Sequence, residues 1–344
     1  MSDPSLLADL DIGGSKVLAI AVDPVGDDGR PLVIEQVRLT TFQGPEGVVD
    51  TALRALAALT SRLDGGSRPA ALTSRFSGVG IGVPGLVDAE HGAITHAVNL
   101  GVGPSTGGLA LADRLQHRLQ LPVAVENDVN AAALGAAAHL GLSRIDLAYL
   151  SIGTGIAAGI VLNGVLRRGP HNTTGEVGHI VVDPSGPVCG CGQHGCLEAM
   201  ASGSAIAARW PTSAAEGPEL AVNRRPAQSL FAAAAAGDPK AIIIRDEVAG
   251  FLAAAVRILT LTIDVDQVVL GGGVAEVGEP LRQAIVTALE QQTEGSSFLR
   301  GLNLPARVSV VPRDQPVAAI GAALLAQPHS AIASETIETI EGVA

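Results

Sequence analysis

Two stretches of this 344-residue chain decide how it folds: Leu7-Ala-Asp-Leu-Asp11-Ile-Gly-Gly-Ser-Lys16-Val-Leu-Ala-Ile-Ala-Val22 and Leu147-Ala-Tyr-Leu-Ser151-Ile-Gly-Thr-Gly155-Ile-Ala-Ala-Gly-Ile-Val-Leu162. Each is an apolar run, a two-glycine turn carrying a hydroxyl residue, and a second apolar run, which reads as strand, tight turn and strand. The first predicts strands over 7–12 and 17–22, followed after the Asp27-Asp28-Gly29 turn by a third over 32–39. The second predicts strands over 147–152 and 156–162, closed by the hairpin signal Asn163-Gly164. One such unit in each half predicts two similar α/β domains with a cleft between them, the boundary falling near 135–144.

Working outward, a helix is expected from 47 to about 63, with Val49, Leu53, Leu56 and Leu59 on one face. A buried strand over 77–83 ends at Pro84-Gly85, and a helix over 109–119, a short strand over 123–125 and a helix over 129–139 follow. In the second half a long helix from 239 to about 262 leads to a strand over 267–270 and the run Gly271-Gly272-Gly273. A strand over 308–311 and a helix over 316–326 close the fold. The expected domains are 1–138 and 139–326, with the helix over 316–326 returning to the N-terminal one and 327–344 a flexible tail.

Hydrophobic residues make up 47% of the chain and aromatics only 2%, so the core is expected to be large and aliphatic. The net charge of −12 and the lack of a basic run argue against nucleic acid as a partner, because phosphate contacts need clustered Lys and Arg. The uncharged stretch 148–166 is long enough to suggest a membrane span, but its glycines, Ser151, Thr154 and Asn163 fit two buried strands instead. No signal-peptide pattern opens the sequence, and a cytoplasmic location is expected. All three cysteines fall within eight residues, so they read as one local site and not a disulfide framework.

The glycine turns carry the first chemistry. In Asp11-Ile-Gly13-Gly14-Ser15-Lys16, glycines let the backbone approach a phosphate, and successive amides with the Ser15 hydroxyl can donate to its oxygens. Asp11, at the strand end, is placed to hold Mg²⁺ directly or through water. A plain β-hairpin is the competing reading of that turn alone. Gly153-Thr154-Gly155 offers the same chemistry in the second half, and two such turns can grip a triphosphate from both sides. Gly271-Gly272-Gly273 would let an adenine lie against backbone. Gly80-Ile-Gly-Val-Pro-Gly85 satisfies the dinucleotide pattern, but Pro84 sits where the helix should begin, so that motif is read as a decoy.

His179, Cys189, Cys191 and Cys196 supply four ligands for tetrahedral zinc, and Gly190, Gly192 and Gly195 let so short a segment wrap round it. With all four positions filled by protein, the metal is expected to be structural. Glu176 and Glu198 flank the loop, and fixing the loop would fix both carboxylates. In Glu126-Asn127-Asp128, at a strand end and a helix start, either Asn127 or Asp128 is expected to cap the helix. A carboxylate at this domain boundary can also accept a sugar hydroxyl's proton as it attacks a phosphoryl group. Paired acids also occur in glycoside hydrolysis.

Together, Asp11-Ile-Gly-Gly-Ser-Lys, Gly82-Val-Pro-Gly85, Glu126-Asn-Asp-Val-Asn130, Ser151-Ile-Gly-Thr-Gly, Gly175-Glu-Val-Gly-His179 and Cys189-Gly-Cys-Gly-Gln-His-Gly-Cys-Leu-Glu198 resemble the ROK family of sugar kinases and repressors. The resemblance runs from about Asp9 to Ala326. It implies two actin/hexokinase-like (ribonuclease H-like) domains with a central cleft, and ATP-dependent phosphorylation of a hexose, by default at the 6-hydroxyl. It further implies Asp128 as general base, with Gly85, Asn127, Glu176, His179 and Glu198 around the sugar, and His179 using one ring nitrogen for zinc and the other toward the sugar. Asp11 and the glycine turns would hold Mg-ATP, in a homodimer or homotetramer. Ser15 replaces a frequent Thr, which keeps the hydroxyl. The loop from Asn99 to Gly108 lacks the Pro and Trp of many glucokinase-like members. An amino sugar (N-acetylglucosamine, N-acetylmannosamine, an aminodeoxyglucose) or a cyclitol is therefore the alternative substrate. A non-catalytic sugar sensor or a repressor is the alternative of another class; with Asp11 so near the start, no winged-helix segment is expected.

Overall fold

The computed structural model describes residues 6–26, 29–65, 72–141, 144–211, 225–312 and 315–327. The first half opens with β1 (Leu6–Ile12), β2 (Lys16–Asp23), β3 (Leu32–Thr40) and β4 (Phe76–Val83). Three short strands, β5 (Leu86–Asp88), β6 (Ala93–His96) and β7 (Leu109–Ala110), form a small antiparallel sheet of their own. Then β8 (Val123–Asn127) completes the first large sheet, in the order β3-β2-β1-β4-β8. The second large sheet contains β9 (Leu147–Ile152), β10 (Ile156–Leu162), β11 (Val165–Arg167), β12 (Gln267–Gly271) and β13 (Val308–Val310), in the order β11-β10-β9-β12-β13. In both, an antiparallel meander of three strands is extended by two parallel ones. The doubled sequence unit is thus a doubled sheet.

Helix α1 (Gly44–Leu63) starts three residues before its apolar pattern, because Pro45 suits the first turn, where an amide has no helical partner. Its Val48, Val49, Ala52, Leu56 and Leu59 pack on Ala8, Leu10 and Ile12. Helix α2 (Leu111–Leu119) is two residues shorter than expected: Leu109 and Ala110 pair with Ile94 and Ala93 as β7, directly after two left-handed glycines, Gly107 and Gly108. The strand expected over 123–125 runs on through Glu126 and Asn127, which pair with Gly82 and Val83.

Two helices join the halves. α3 (Asp128–His139) leaves the first sheet and packs on β9 and β10, and the helix Val317–Leu325 lies on β1 and β4 of the first sheet. There Ala319, Ile320 and Ala323 cover Leu7, Ile20 and Val22. The helix comes so close that a Cβ on Gly80 would sit 1.8 Å from the Ala322 carbonyl oxygen, so Gly80 serves helix-on-sheet packing and not a dinucleotide. The two helices cross at glycines: a Cβ on Gly135 would lie 1.8 Å from the Val317 oxygen, and one on Gly321 1.8 Å from the Ala131 oxygen.

The helices Pro226–Ala235 and Glu279–Thr293, absent from the sequence expectation, pack on the long helix Pro239–Ile263 in the second core. The stretch 148–166 is β9, β10 and the start of β11, and among the described residues no helix is long and apolar enough to cross a membrane. Asp27, Asp28 and residues 328–344 lie outside the described residues.

Candidate active site

The junction of β8 and α3 sorts three adjacent polar residues into three roles. Asn127 is the cap: its Oδ1 accepts from the Val129 and Asn130 amides at 2.9 and 3.1 Å, while its Nδ2 donates to the Gly85 carbonyl at 3.0 Å. Gly85 has φ +95°, and a Cβ there would meet the His96 oxygen at 2.1 Å, so the position admits only glycine. Glu126 turns inward, accepting from the Asn127 amide, the Asn130 side chain and Arg168.

Asp128 is thereby released from capping, apart from accepting the adjacent Val129 amide at 2.9 Å. Its carboxyl is pushed up to about 7, first by burial and then by the charge of Asp11. Asp11, at the end of β1, is itself raised by burial, with Lys16 opposing the shift. Two carboxyls near enough for the charge of one to raise the other, which is poised near neutrality, are the arrangement a general base needs. Deeper in β1, Asp9 is fully buried, and neither of its carboxylate oxygens has a hydrogen-bond partner. Burial, and next Asp11, hold it well above the usual carboxylate range.

The first glycine turn closes when the Gly13 amide donates to the Lys16 carbonyl at 2.9 Å, leaving Ser15 and Lys16 exposed. The Gln43 side chain donates to the Gly14 carbonyl, and Asn99 packs so tightly on Gly14 that a Cβ would be 2.9 Å from its oxygen. The aromatic-free loop therefore abuts this turn. In the second turn the Gly153 amide donates to the Gly155 carbonyl at 2.9 Å, and Thr154 is exposed. Gly153 and Thr154 line a cavity of about 510 Å³ together with Gly203, Ser204, Gln228 and Gly273. Of the three consecutive glycines only Gly273 faces it. Gly271 is pressed against the Tyr149 phenol and Gly272, at φ +81°, against the Ile152 backbone. Gly203, Ser204 and Gln228 are among the lining residues that the sequence did not reveal; they sit at helix starts without any motif.

The four cysteine and histidine side chains converge, their ligand atoms all within 4.8 Å of one another. Cys191 and Cys196 sulfurs are 3.6 Å apart, and Cys189 Sγ is 3.8 Å from His179 Nδ1. Thiolates at about 2.3 Å from a tetrahedral zinc would be about 3.8 Å apart, so these donors fit that ion. His179 Nε2, the other ring nitrogen, faces Glu176 Oε2 at 3.9 Å. Glu198 links the loop to the second glycine turn. Its Oε2 accepts the Ile156 amide at 3.1 Å, and its Oε1 lies 3.8 Å from Cys189 Sγ.

The ROK family model matches residues 8–329. A glucokinase from Halalkalibacterium halodurans is 32% identical over 303 residues, covering 84% of this chain and 88% of that protein. An N-acetylmannosamine kinase from Escherichia coli is 32% identical over 289 residues, covering 83% and 88%. Among solved structures, a ROK family glucokinase from Streptomyces griseus in complex with glucose and AMPPNP superposes with a TM-score of 0.71 at 30% identity, over 93% of this chain and 98% of that one.

Proposed function

The chain belongs to the ROK family and is a sugar kinase; from that premise we propose that it transfers the γ-phosphoryl group of ATP to the 6-hydroxyl of glucose or a close hexose, with Asp128 as general base. The hydroxyl oxygen forms the new P–O bond as the bond to the β-phosphate bridging oxygen breaks, ADP leaves, and the hydroxyl proton passes to Asp128. The observation that carries this reading is the Asp128 carboxyl, freed from capping by Asn127 and raised to about 7, beside Asp11 and the first glycine turn.

In this reading Gly85, Asn127, Glu176, His179 and Glu198 hold the sugar, and Gly13, Gly14, Ser15, Lys16, Gly153, Thr154 and Gly155 receive the phosphates. The 510 Å³ cavity that includes Gly273 takes the adenosine. A magnesium ion at Asp11 would screen the phosphate charge. Zinc held by His179, Cys189, Cys191 and Cys196 would fix the loop that carries Glu176 and Glu198 without taking part in the chemistry. Residues 1–138 and 139–326 act as the two closing domains, apart from the returning last helix, and closure excludes water that would otherwise hydrolyse ATP. The assembly is a homodimer or homotetramer.

A second reading, an N-acetylmannosamine kinase, is favoured by the equal 32% identity to those enzymes and by the aromatic-free loop packed on Gly14. ADP release across glucose, mannose, fructose, N-acetylglucosamine, N-acetylmannosamine, aminodeoxyglucoses and a cyclitol decides between them. Turnover of glucose well above the N-acetyl sugars is expected; turnover of N-acetylmannosamine alone would transfer the assignment to the second reading.

A further inference from the structure

Glu126 belongs to β8 of the first sheet, and Arg168 is the first residue after β11 of the second. Their side chains meet across the junction, Arg168 Nε donating to Glu126 Oε2 at 2.6 Å. Glu126 is only 1% exposed, and its other oxygen accepts from the Asn127 amide at 2.9 Å and Asn130 Nδ2 at 3.0 Å. A carboxylate at that depth is costly unless it is paired and hydrogen-bonded, and here the cation comes from the other half of the molecule.

What the pair holds is specific. Asn127 and Asn130 stand on either side of Asp128, so Glu126 grips the base-bearing segment from both ends. At the far side the Arg168 carbonyl accepts the Thr174 amide at 3.3 Å, closing the 168–174 turn that leads into Gly175, Glu176 and His179. Gly175 has φ +91°, and a Cβ there would be 1.7 Å from the Ala158 oxygen, which seats that loop firmly on β10. One ion pair therefore links the segment carrying the base to the loop carrying two sugar-holding groups.

We propose that Arg168 is a positioning residue for phosphoryl transfer: through Glu126 it keeps Asp128 in register with Glu176 and His179, which the other half supplies. This rests on the roles given to those three residues above. The Arg168 side chain acts through Glu126, and among the described residues no hydrogen bond or ion pair joins it to the turns assigned to ATP. Loss of the pair therefore falls on kcat and on the sugar KM, and leaves the ATP KM alone. Misplacement of a reacting group by about 1 Å can cost on the order of a hundredfold.

The test is steady-state kinetics on the full chain for wild type, Arg168→Met, Arg168→Lys, the Glu126→Gln/Arg168→Met double variant and Asp128→Asn, with melting curves. Arg168→Met is expected to lower kcat roughly 10- to 100-fold while the ATP KM stays within about twofold. Arg168→Lys restores part of the loss because it keeps the charge but not the planar fork. The double variant is no worse than Arg168→Met, since the two residues act as one unit. If Arg168→Met does not fold, a folded Arg168→Lys with severalfold reduced kcat and unchanged ATP KM carries the test. A folded Arg168→Met, or failing that a folded Arg168→Lys, with wild-type kcat overturns the proposal. So does a loss that raises both KM values alike, follows the melting temperature and is not relieved by Lys. If Asp128→Asn is inactive and Arg168→Met unimpaired, the positioning role falls and the base assignment stands; if Asp128→Asn turns over normally, both fall.

Discussion

Catalytic efficiency should depend on pH through a single carboxyl group, Asp128. Its value of about 7 belongs to the ligand-free protein, which is the state that kcat/KM reports. A base must be ionised to accept a proton, so efficiency falls as pH drops through that value. The ionised fraction is about one tenth at pH 6, one half at pH 7 and nine tenths at pH 8, so kcat/KM should rise about tenfold over those two units. Asp128→Asn keeps the side chain's size and its place at the start of α3 but removes the base. General-base catalysis contributes about 10²- to 10⁴-fold, equivalent to about 2.7–5.5 kcal/mol on the barrier. The assay is initial-rate ADP release with both Mg-ATP and sugar held below their KM values between pH 5.5 and 8.5, so that the free protein is the titrating state. The variant should retain at most about one hundredth of the wild-type rate, with the acid limb gone from what remains. A flat wild-type profile, or an Asp128→Asn profile with the acid limb intact, would refute the reasoning.

Cys191→Ser should release the metal and raise the sugar KM together, checked by metal analysis of the purified protein alongside kinetics; metal-free protein with intact sugar binding would break that link. Gly321→Ala places a methyl group 1.8 Å from the Ala131 oxygen, which should cost about 1–3 kcal/mol and lower the melting temperature by several degrees. Gly273→Ala meets nothing within 4 Å, so melting should not change while the ATP KM rises; equal melting for both variants would contradict the crossing geometry. For Asp9, whose folded-state value is raised, the native chain holds a proton that the unfolded chain has lost at any pH between the unfolded and folded values. Native stability therefore falls there as pH rises, by about 1.4 kcal/mol per unit. Asp9→Asn should remove that slope, so denaturant titrations near pH 4 and pH 8 should diverge between variant and wild type. Parallel behaviour would mean that ionising Asp9 has no such cost.

Legibility in the sequence followed distance along the chain. The two strand–turn–strand units could be read because turn chemistry and apolar runs are local, and the cluster of His179 with the three cysteines because glycines separate closely spaced donors. The capping alternatives at Asn127 and Asp128 could be listed but not decided, since only the Gly85 carbonyl, 42 residues away in sequence, selects the Asn127 orientation. The Glu126–Arg168 pair spans a further 42 residues and leaves no local trace. Gly203, Ser204 and Gln228 line the nucleotide-sized cavity only because the helices bearing them pack round the Pro239–Ile263 helix. Gly80 matched a dinucleotide pattern in the sequence, when the physical demand on it was a helix backbone delivered from the far end of the chain.

That last helix sets a schedule for biosynthesis. Leu7, Ile20 and Val22 lie on strands that are translated about 300 residues before their cover, Ala319, Ile320 and Ala323. About 190 residues are translated between the end of α3 and the end of the covering helix, which at 5–20 residues per second takes roughly 10–40 s. During that interval an apolar sheet face waits in the open, and the first half cannot reach its final state on its own. The nascent chain is thus exposed to aggregation and to chaperone capture until that helix has emerged, and a stop codon before residue 317 would leave the apolar face formed by Leu7, Ile20 and Val22 uncovered.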